Sequence, residues 1–160
     1  MSYQNILQAW QIPVFSYDDF QKKSPLQQLE YIAHFGLLAP TSHNTVPQRF
    51  KLKPDIKTIE IWLDRKYVLA ESDKKGRQAL VSIGCVVKNI EEAASCFGLQ
   101  TTIHGLPVNP EFIKPLNETQ DRYTQIITLS FTKNTNTTDI SILKNIIDRK
   151  VIRAEYDEKI

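Results

Sequence analysis

Apolar residues at intervals of three and four predict a first long helix that begins at Ser24. The Ser24 hydroxyl is placed as an N-cap, Pro25 occupies the first helical position, and Gln27 completes a capping box. Pro40 ends the segment, because a proline interrupts the helical hydrogen-bond pattern. The predicted apolar face consists of Leu26, Leu29, Ile32, Phe35, Gly36 and Leu37.

A second and longer helix is predicted from an N-cap at Ser72-Asp73 to Gly98, which sits where a C-terminal cap belongs. Its apolar face is broad, so we expect it at the centre of the core or of a subunit interface. Cys85 and Cys96 both lie on it, eleven positions or roughly 16 Å apart, too far for a disulfide. The face consists of Leu80, Ile83, Val86, Val87, Ile90, Ala93, Ala94 and Phe97.

Alternating residues predict strands at 49–53, 58–64 and 124–131, with a shorter strand near 100–104. A brief helix should open at Asn109-Pro110, and Asp139 should cap a last helix. Residues 1–23 are expected to form a packed arm with a short helix near its start. Hairpin-like strands combined with long helices indicate a layered α+β domain.

The composition excludes several classes of protein. The chain has 160 residues, 41% hydrophobic and 24% charged, which predicts one globular domain. Its 20 basic and 18 acidic residues give a net charge of +2, too balanced to indicate nucleic acid or an anionic membrane as partner. With neither a signal peptide nor an apolar run of about 20 residues, a cytoplasmic location is expected. The three histidines are scattered, so no metal site is predicted.

The loop that follows the first helix carries the most specific chemistry. Pro40 introduces a rigid bend, and Thr41, Ser42 and Asn44 add two hydroxyls and an amide within five residues. Hydroxyls and amides both donate and accept hydrogen bonds, so this loop suits a planar ligand with polar edges. The alternative is an ordinary helix stop, because these residues are common in loops.

Residues 39–50 resemble the Ala-Pro-Ser-Ser-x-Asn-x-Gln-Pro-Trp-x-Phe signature of the nitroreductase family of FMN-dependent oxidoreductases. Residues 82–99 are similar to that family's central helix, and 102–107 to a loop whose backbone approaches the reactive edge of the flavin. The resemblance covers roughly residues 25 to 132. It implies a nitroreductase-like domain at 1–132, with a central, antiparallel-rich mixed sheet flanked by helices and a long central helix. It also implies that Pro40, Thr41, Ser42, Asn44 and Gly105 bind the cofactor.

Residues 142–160 are similar to the family's N-terminal signature, a helix followed by Arg-Arg-Ser-x-Arg and an aromatic residue. In the family this motif supplies cations to FMN, which implies cofactor-binding roles for Arg149, Lys150 and Arg153. Residues 133–160 would then form a linker, a helix and a C-terminal arm. The alternative is a basic helix end that favours its own dipole.

The C-terminal position of this arginine motif has two explanations. The family includes tandem-fused members whose second half begins with the motif, and the chain would then resemble one half plus the start of a second. Alternatively, the chain is complete and dimerises, each copy lending its arm to the flavin site of its partner. We favour a fused-type ancestor, and a homodimer with exchanged arms for the chain as given.

The resemblance implies an FMN-dependent oxidoreductase that reduces small quinone- or nitro-type acceptors with NAD(P)H. We assign no catalytic side chain, because the flavin supplies the chemistry. Three departures motivate a second hypothesis, a non-catalytic flavin-binding or flavin-storage protein: Val46 for the signature's glutamine, Gln48 for its tryptophan and Val151 for the serine of the arginine motif. A third is a structural remnant that binds no cofactor.

Overall fold

The computed structural model describes residues 11–105, 110–116 and 121–149, and these ranges contain four α-helices and four β-strands. The helices are α1 (Tyr17–Gln21), α2 (Pro25–Leu37), α3 (Arg77–Cys96) and α4 (Ser141–Asp148). The strands are β1 (Gln48–Lys53), β2 (Thr58–Asp64), β3 (Leu99–Gly105) and β4 (Tyr123–Lys133). Short 3₁₀ turns occur at Ser42–Asn44, Pro54–Ile56, Arg65–Tyr67 and Pro110–Ile113.

The four strands form one sheet in the order β1-β2-β4-β3, and every neighbouring pair is antiparallel. The α+β class is therefore confirmed. The expectation of a mixed sheet is wrong for the strands that the structure describes. β2 and β3, which α3 connects, run in the same direction, but β4 lies between them and is antiparallel to both.

The start of α2 confirms the predicted capping box. Ser24 Oγ accepts a hydrogen bond from the Gln27 amide, and Gln27 Oε1 accepts one from the Ser24 amide. The helix ends at Leu37, three residues before Pro40, and the carbonyls of Phe35 and Gly36 bond to the amides of Leu38 and Ala39. This end of α2 delivers the chain directly into the loop that contains Pro40.

The long helix α3 begins later than the sequence predicts. It starts at Arg77, four residues after Asp73, because Gly76 adopts a left-handed backbone conformation (φ 68°). Asp73 still caps the helix, since its two carboxylate oxygens accept the amides of Gln78 and Ala79 at 3.1 and 2.9 Å. The predicted end is confirmed: the helix stops at Cys96, and Gly98 follows with φ 68°.

The apolar core lies between the sheet and the helices α2 and α3. The inward side chains of β2 are fully buried, as are Ile83, Val86 and Ile90 of α3, which confirms the predicted central position of that helix. Leu143 of α4 belongs to the same core. Cys85 and Cys96 are free thiols, and burial raises the pKa of Cys96 to about 11.

The described part of the N-terminal arm packs on this core. Phe20 of α1 stacks on Phe97 with ring centroids 4.1 Å apart. The Tyr31 hydroxyl donates to the Pro13 carbonyl at 3.0 Å and accepts from the Phe15 amide at 3.1 Å. The predicted packed arm is thus confirmed from residue 11 onward, whereas the helix expected near its start lies outside the described residues.

A buried arginine holds the connection between β3 and β4. The Arg65 side chain is fully buried, and its guanidinium donates to the carbonyls of Glu111, Lys114, Pro115 and Asp121 at 2.9–3.3 Å. Burial lowers the pKa of this guanidinium, while the charges of Asp121 and Glu111 act in the opposite direction. Arg65 therefore fixes segments 111–115 and 121–122 against the end of β2.

Two glycines give a matched test of this packing. A Cβ at Gly76 would lie 2.0 Å from the Ile113 carbonyl oxygen, on a backbone with φ 68°. A Cβ at Gly84, in the exposed middle of α3, would meet nothing within 4 Å. We expect Gly76→Ala to lower the free energy of unfolding by at least about 2 kcal/mol and Gly84→Ala to raise it by about 1 kcal/mol. Urea unfolding measures both, and equal effects would contradict the close approach at Gly76.

Candidate functional site

An open groove of about 840 Å³ lies between the loop after α2 and the first half of α3. Its floor is formed by the loop residues and by one side of α3, and its rim by the segment before that helix. The lining residues are Pro40, Thr41, Ser42, Glu71, Ser72, Asp73, Lys74, Lys75, Arg77, Gln78, Val81, Ser82 and Cys85.

Hydrogen bonds from Ser42 attach the loop to α3. The Ser42 amide donates to Ser82 Oγ at 3.0 Å, and the Ser42 hydroxyl donates to Gln78 Oε1 at 2.6 Å. Gln78 and Ser82 are four residues apart and so share one face of the helix. Gln78 Nε2 in turn donates to the Ser72 carbonyl at 2.9 Å. One chain of polar contacts therefore connects the loop, the helix and the rim of the groove.

The loop itself is strained. His43, Asn44 and Val46 have φ values of 51°, 57° and 49°, in the left-handed region. Asparagine tolerates this region, but it is unfavourable for a β-branched residue such as Val46. The conformation is held from both sides of Val46: its amide donates to Thr41 Oγ1 at 3.1 Å, and its carbonyl accepts from Arg49 Nη1 at 3.0 Å.

Arg49 is in turn positioned by a fully buried carboxylate. Asp64 Oδ2 lies 2.9 Å from Arg49 Nη2, and Arg122 forms a bidentate pair with both Asp64 oxygens at 2.8 Å. Burial raises the pKa of the Asp64 carboxyl, but the hydrogen bonds and charge of Arg122 and the charge of Arg49 outweigh it, so that the net pKa is lowered. Asp64 therefore stays ionised and supports the loop through Arg49.

The charge of the groove comes from side chains rather than from the helix end. The exposed side chains of Lys74, Lys75 and Arg77 lie along its rim, with Glu71 3.8 Å from Lys74. The amides at the start of α3 are already bonded to Asp73, so the helix dipole is largely neutralised there. The arrangement can accept an anionic group at the rim and a neutral polar edge at Ser42.

The structure describes six of the eight predicted cofactor-binding residues, and they do not all lie at the groove. Pro40, Thr41 and Ser42 line the groove together, and Asn44 lies in the same loop. Within the described residues, Gly105 lies at the exposed end of β3 and is not part of the lining.

The C-terminal motif is described only at its first residue. Arg149 Nη2 donates to the Leu38 carbonyl at 3.1 Å, which places this residue at the end of α2 from which the loop emerges. Lys150 and Arg153 lie outside the described residues. Arg149 therefore begins the arm next to the loop of its own chain.

Sequence reasoning missed the contribution of α3 and of the segment before it. No binding role was predicted for Gln78, Lys74 or Lys75, and Ser82 was included only in the segment 82–99 that resembles the family's central helix. The sequence feature that could have indicated this role is the four-residue spacing of Gln78 and Ser82, which places two polar side chains on one face of the helix. Only the contact with Ser42 shows that this face borders the loop.

Other kinds of site find no support in the part of the chain that the structure describes. No group of three or more potential ligands among histidine, cysteine, aspartate and glutamate could hold a metal ion there. Among the same residues, no helix is long and apolar enough to cross a membrane. Comparison of the sequence with protein-family models and with curated proteins found no match.

The Asp64 pair predicts a specific dependence of stability on pH. Because the pKa of Asp64 is lower in the folded state, its stabilising contribution is present at neutral pH and is lost as the pH falls below about 4. We expect Asp64→Asn to cost about 1–3 kcal/mol at neutral pH, because charge-assisted hydrogen bonds to two half-exposed arginines are lost, and this difference from the parent protein to shrink on acidification. Urea unfolding across the acidic range measures it.

Asp55→Asn is the matched control, because Asp55 lies on the exposed turn between β1 and β2. A difference between Asp64→Asn and the parent protein that stays constant from neutral to acidic pH would contradict the assigned role of the carboxylate.

Proposed function

We propose that the protein is an FMN-dependent oxidoreductase of nitroreductase type that reduces quinone- or nitro-type acceptors with NAD(P)H. The observation that carries this proposal is the groove, in which Pro40, Thr41 and Ser42 lie opposite polar residues of α3 and next to three cations. Its volume of about 840 Å³ falls in the range typical of small-molecule sites.

The residues of the groove fit the two chemical parts of FMN. The flavin ring has donor and acceptor atoms along one edge, which Thr41, Ser42 and Gln78 can match, since hydroxyls and amides do both. The phosphate needs fixed positive charge, which Lys74, Lys75 and Arg77 supply at the rim.

Each part of the chain then has a role in binding or orientation. Bound FMN would accept a hydride from NAD(P)H and pass electrons to the acceptor. The bonds of Ser42 to Gln78 and Ser82 keep the loop in place while the ring edge rests on it. The resemblance adds the backbone near Gly105 and the cations Arg149, Lys150 and Arg153.

The contact of Arg149 with the Leu38 carbonyl supports a place for the arm beside the loop, because Leu38 precedes Pro40 by only two residues. The homodimer with exchanged arms stays a prediction. The mass of the FMN-loaded protein in solution tests it.

A second candidate, a flavin-binding or storage protein without turnover, is favoured by one observation. No aromatic side chain lines the groove in the described part of the chain. Gln48, at the position of the signature's tryptophan, is only 1% exposed and donates to the Gly36 carbonyl at 3.4 Å. A planar acceptor would therefore find no ring to stack on.

FMN binding is expected to depend on the groove. Ser42→Ala removes one neutral hydrogen bond and should weaken FMN binding about threefold to tenfold. Arg77→Gln removes one charge-assisted contact and should weaken it by about tenfold. Quenching of flavin fluorescence on titration measures both.

Thr132→Ala, which removes an exposed hydroxyl near the end of β4, is the control and should leave FMN affinity unchanged. Equal FMN affinity in the parent, Ser42→Ala and Arg77→Gln proteins would contradict the placement of FMN in this groove. A protein that is purified colourless and does not titrate with FMN would contradict the proposed function as a whole.

Turnover separates the two candidates. We expect the FMN-loaded protein to oxidise NADH or NADPH in the presence of a quinone or a nitroaromatic compound, with rates followed by the loss of nicotinamide absorbance. Tight FMN binding with no oxidation above that of free FMN would instead establish the storage protein.

A further inference from the structure

Two arginine side chains bind one carboxylate at the end of the sheet where the interior strand β2 stops. The Nη2 atoms of Arg49 and Arg122 lie 2.9 and 2.8 Å from the same oxygen, Asp64 Oδ2. The Asp64 side chain has no solvent exposure, whereas those of Arg49 and Arg122 are 38% and 40% exposed. The two guanidinium groups are therefore partly exposed to solvent, while the carboxylate that orients them is buried beneath them.

Each guanidinium keeps donors that no described residue of the protein accepts. Arg122 gives Nε and Nη2 to Asp64, while its Nη1 has no acceptor among the described residues. Arg49 gives Nη1 to the carbonyls of Val46 and Gln48 and Nη2 to Asp64, while its Nε has no acceptor in the same ranges. Arginine stays charged at any ordinary pH, so these donors are always available.

Two exposed tyrosines complete the cluster. The Arg49 guanidinium lies over the ring of Tyr67, and that of Arg122 over the ring of Tyr123, each 4.9 Å from the ring centroid. Tyr67 and Tyr123 are 38% and 46% exposed. Their hydroxyls have no protein partner within the described part of the chain. The rings hold the guanidinium planes in place, and the hydroxyls add two further donors.

The local charge favours an anion. One carboxylate, Asp64, balances only one of the two guanidinium groups, and the exposed Lys66 lies next in the chain after Arg65. Asp121, adjacent to Arg122, is the acidic neighbour on the exposed side. A tetrahedral oxyanion has several acceptor oxygens, so it can accept from the remaining donors of both guanidinium groups at once.

We propose that Arg49, Arg122, Tyr67 and Tyr123 form a binding site for a phosphate dianion, either inorganic phosphate or the phosphate of a monoester. The site is separate from the groove, and the proposal does not depend on FMN binding. Asp64 is a positioning residue for it, because it orients both guanidinium groups without facing solvent. The phosphate would bind to Nη1 of Arg122, Nε of Arg49 and the tyrosine hydroxyls.

The test is a titration of the full chain with inorganic phosphate and, separately, with phenyl phosphate, at constant ionic strength. Arginine Nε–H resonances followed by two-dimensional NMR report each guanidinium. We expect the Arg49 and Arg122 signals to shift with one saturating curve, while Arg77 follows a different curve or does not move. Tighter binding of phenyl phosphate identifies a monoester site, and equal affinity identifies a site for the free ion.

Arg122→Lys keeps the charge, but a lysine amine cannot bind both Asp64 oxygens and also supply the donors of Nη1, so phosphate affinity at the Arg49 signal should fall by about tenfold. The double variant Tyr67→Phe/Tyr123→Phe keeps both rings, and with them the arginine packing. It should fold normally and bind phosphate about threefold to tenfold more weakly. If Arg122→Lys does not fold, the phosphate affinity of the double tyrosine variant tests the proposal instead.

Arg77→Gln separates this site from the groove, because it should weaken FMN binding and leave the phosphate titration at Arg49 unchanged. Shifts that do not saturate, or an affinity at Arg49 that neither Arg122→Lys nor the double tyrosine variant alters, would overturn the proposal. Those results would leave the proposed flavin function untouched.

Discussion

The ion pairs of the buried Asp64 carboxylate with Arg49 and Arg122 support both the loop beside the groove and the proposed phosphate site. Asp64 sits at the end of the central strand β2 and binds Arg49 of β1 and Arg122 at the start of β4. Without this carboxylate, the two guanidinium groups would lose the acceptor that orients them, although water can hydrate both because each side chain is about two fifths exposed. The next residue, Arg65, is a buried cation whose bonds to backbone carbonyls fix segments 111–115 and 121–122, which lie between β3 and β4. Two adjacent residues of β2 and the turn after it thus fix Arg49, Arg122 and these two segments.

Arg49 connects this ion pair to the loop beside the groove. It donates to the Val46 carbonyl, and Thr41 accepts from the Val46 amide, so a strained β-branched residue is held from both directions. A residue keeps such an unfavourable backbone conformation only where several surrounding contacts fix it. The same arginine thereby supports the loop on one side and contributes to the proposed phosphate site on the other. A single substitution at Arg49 would confound the two, which is why Arg122 and Arg77 are the residues that separate them.

The groove illustrates how polar residues of an amphipathic helix acquire a role. Gln78 and Ser82 lie on α3 at a spacing that puts them on one face, and Ser42 bonds to both. The carboxylate of Asp73 takes up the free amides at the start of the helix. The positive charge that remains for a ligand therefore resides on Lys74, Lys75 and Arg77. The groove therefore combines neutral hydrogen-bonding groups at Ser42 and Gln78 with exposed cations at Lys74, Lys75 and Arg77, and the proposal of FMN as ligand rests on this combination.

The sequence by itself determined the local structure. The capping box at Ser24, the broad apolar face of the long helix, the glycine at its end and the alternating strands all depend on residues close in the chain, and each was found where expected. It also identified the loop from Pro40 to Asn44. The start of α3 was placed three residues early, with Asp73 rather than Gly76 as N-cap; at Gly76 the carbonyl of Ile113, 37 positions away, leaves no room for a side chain. The position of β4 between β2 and β3, the contact of Ser42 with α3, and the meeting of Arg49 with Arg122 at Asp64 were decided only by tertiary structure. These contacts join residues far apart in the chain, and no periodicity within one segment specifies which distant charge or hydroxyl it will meet.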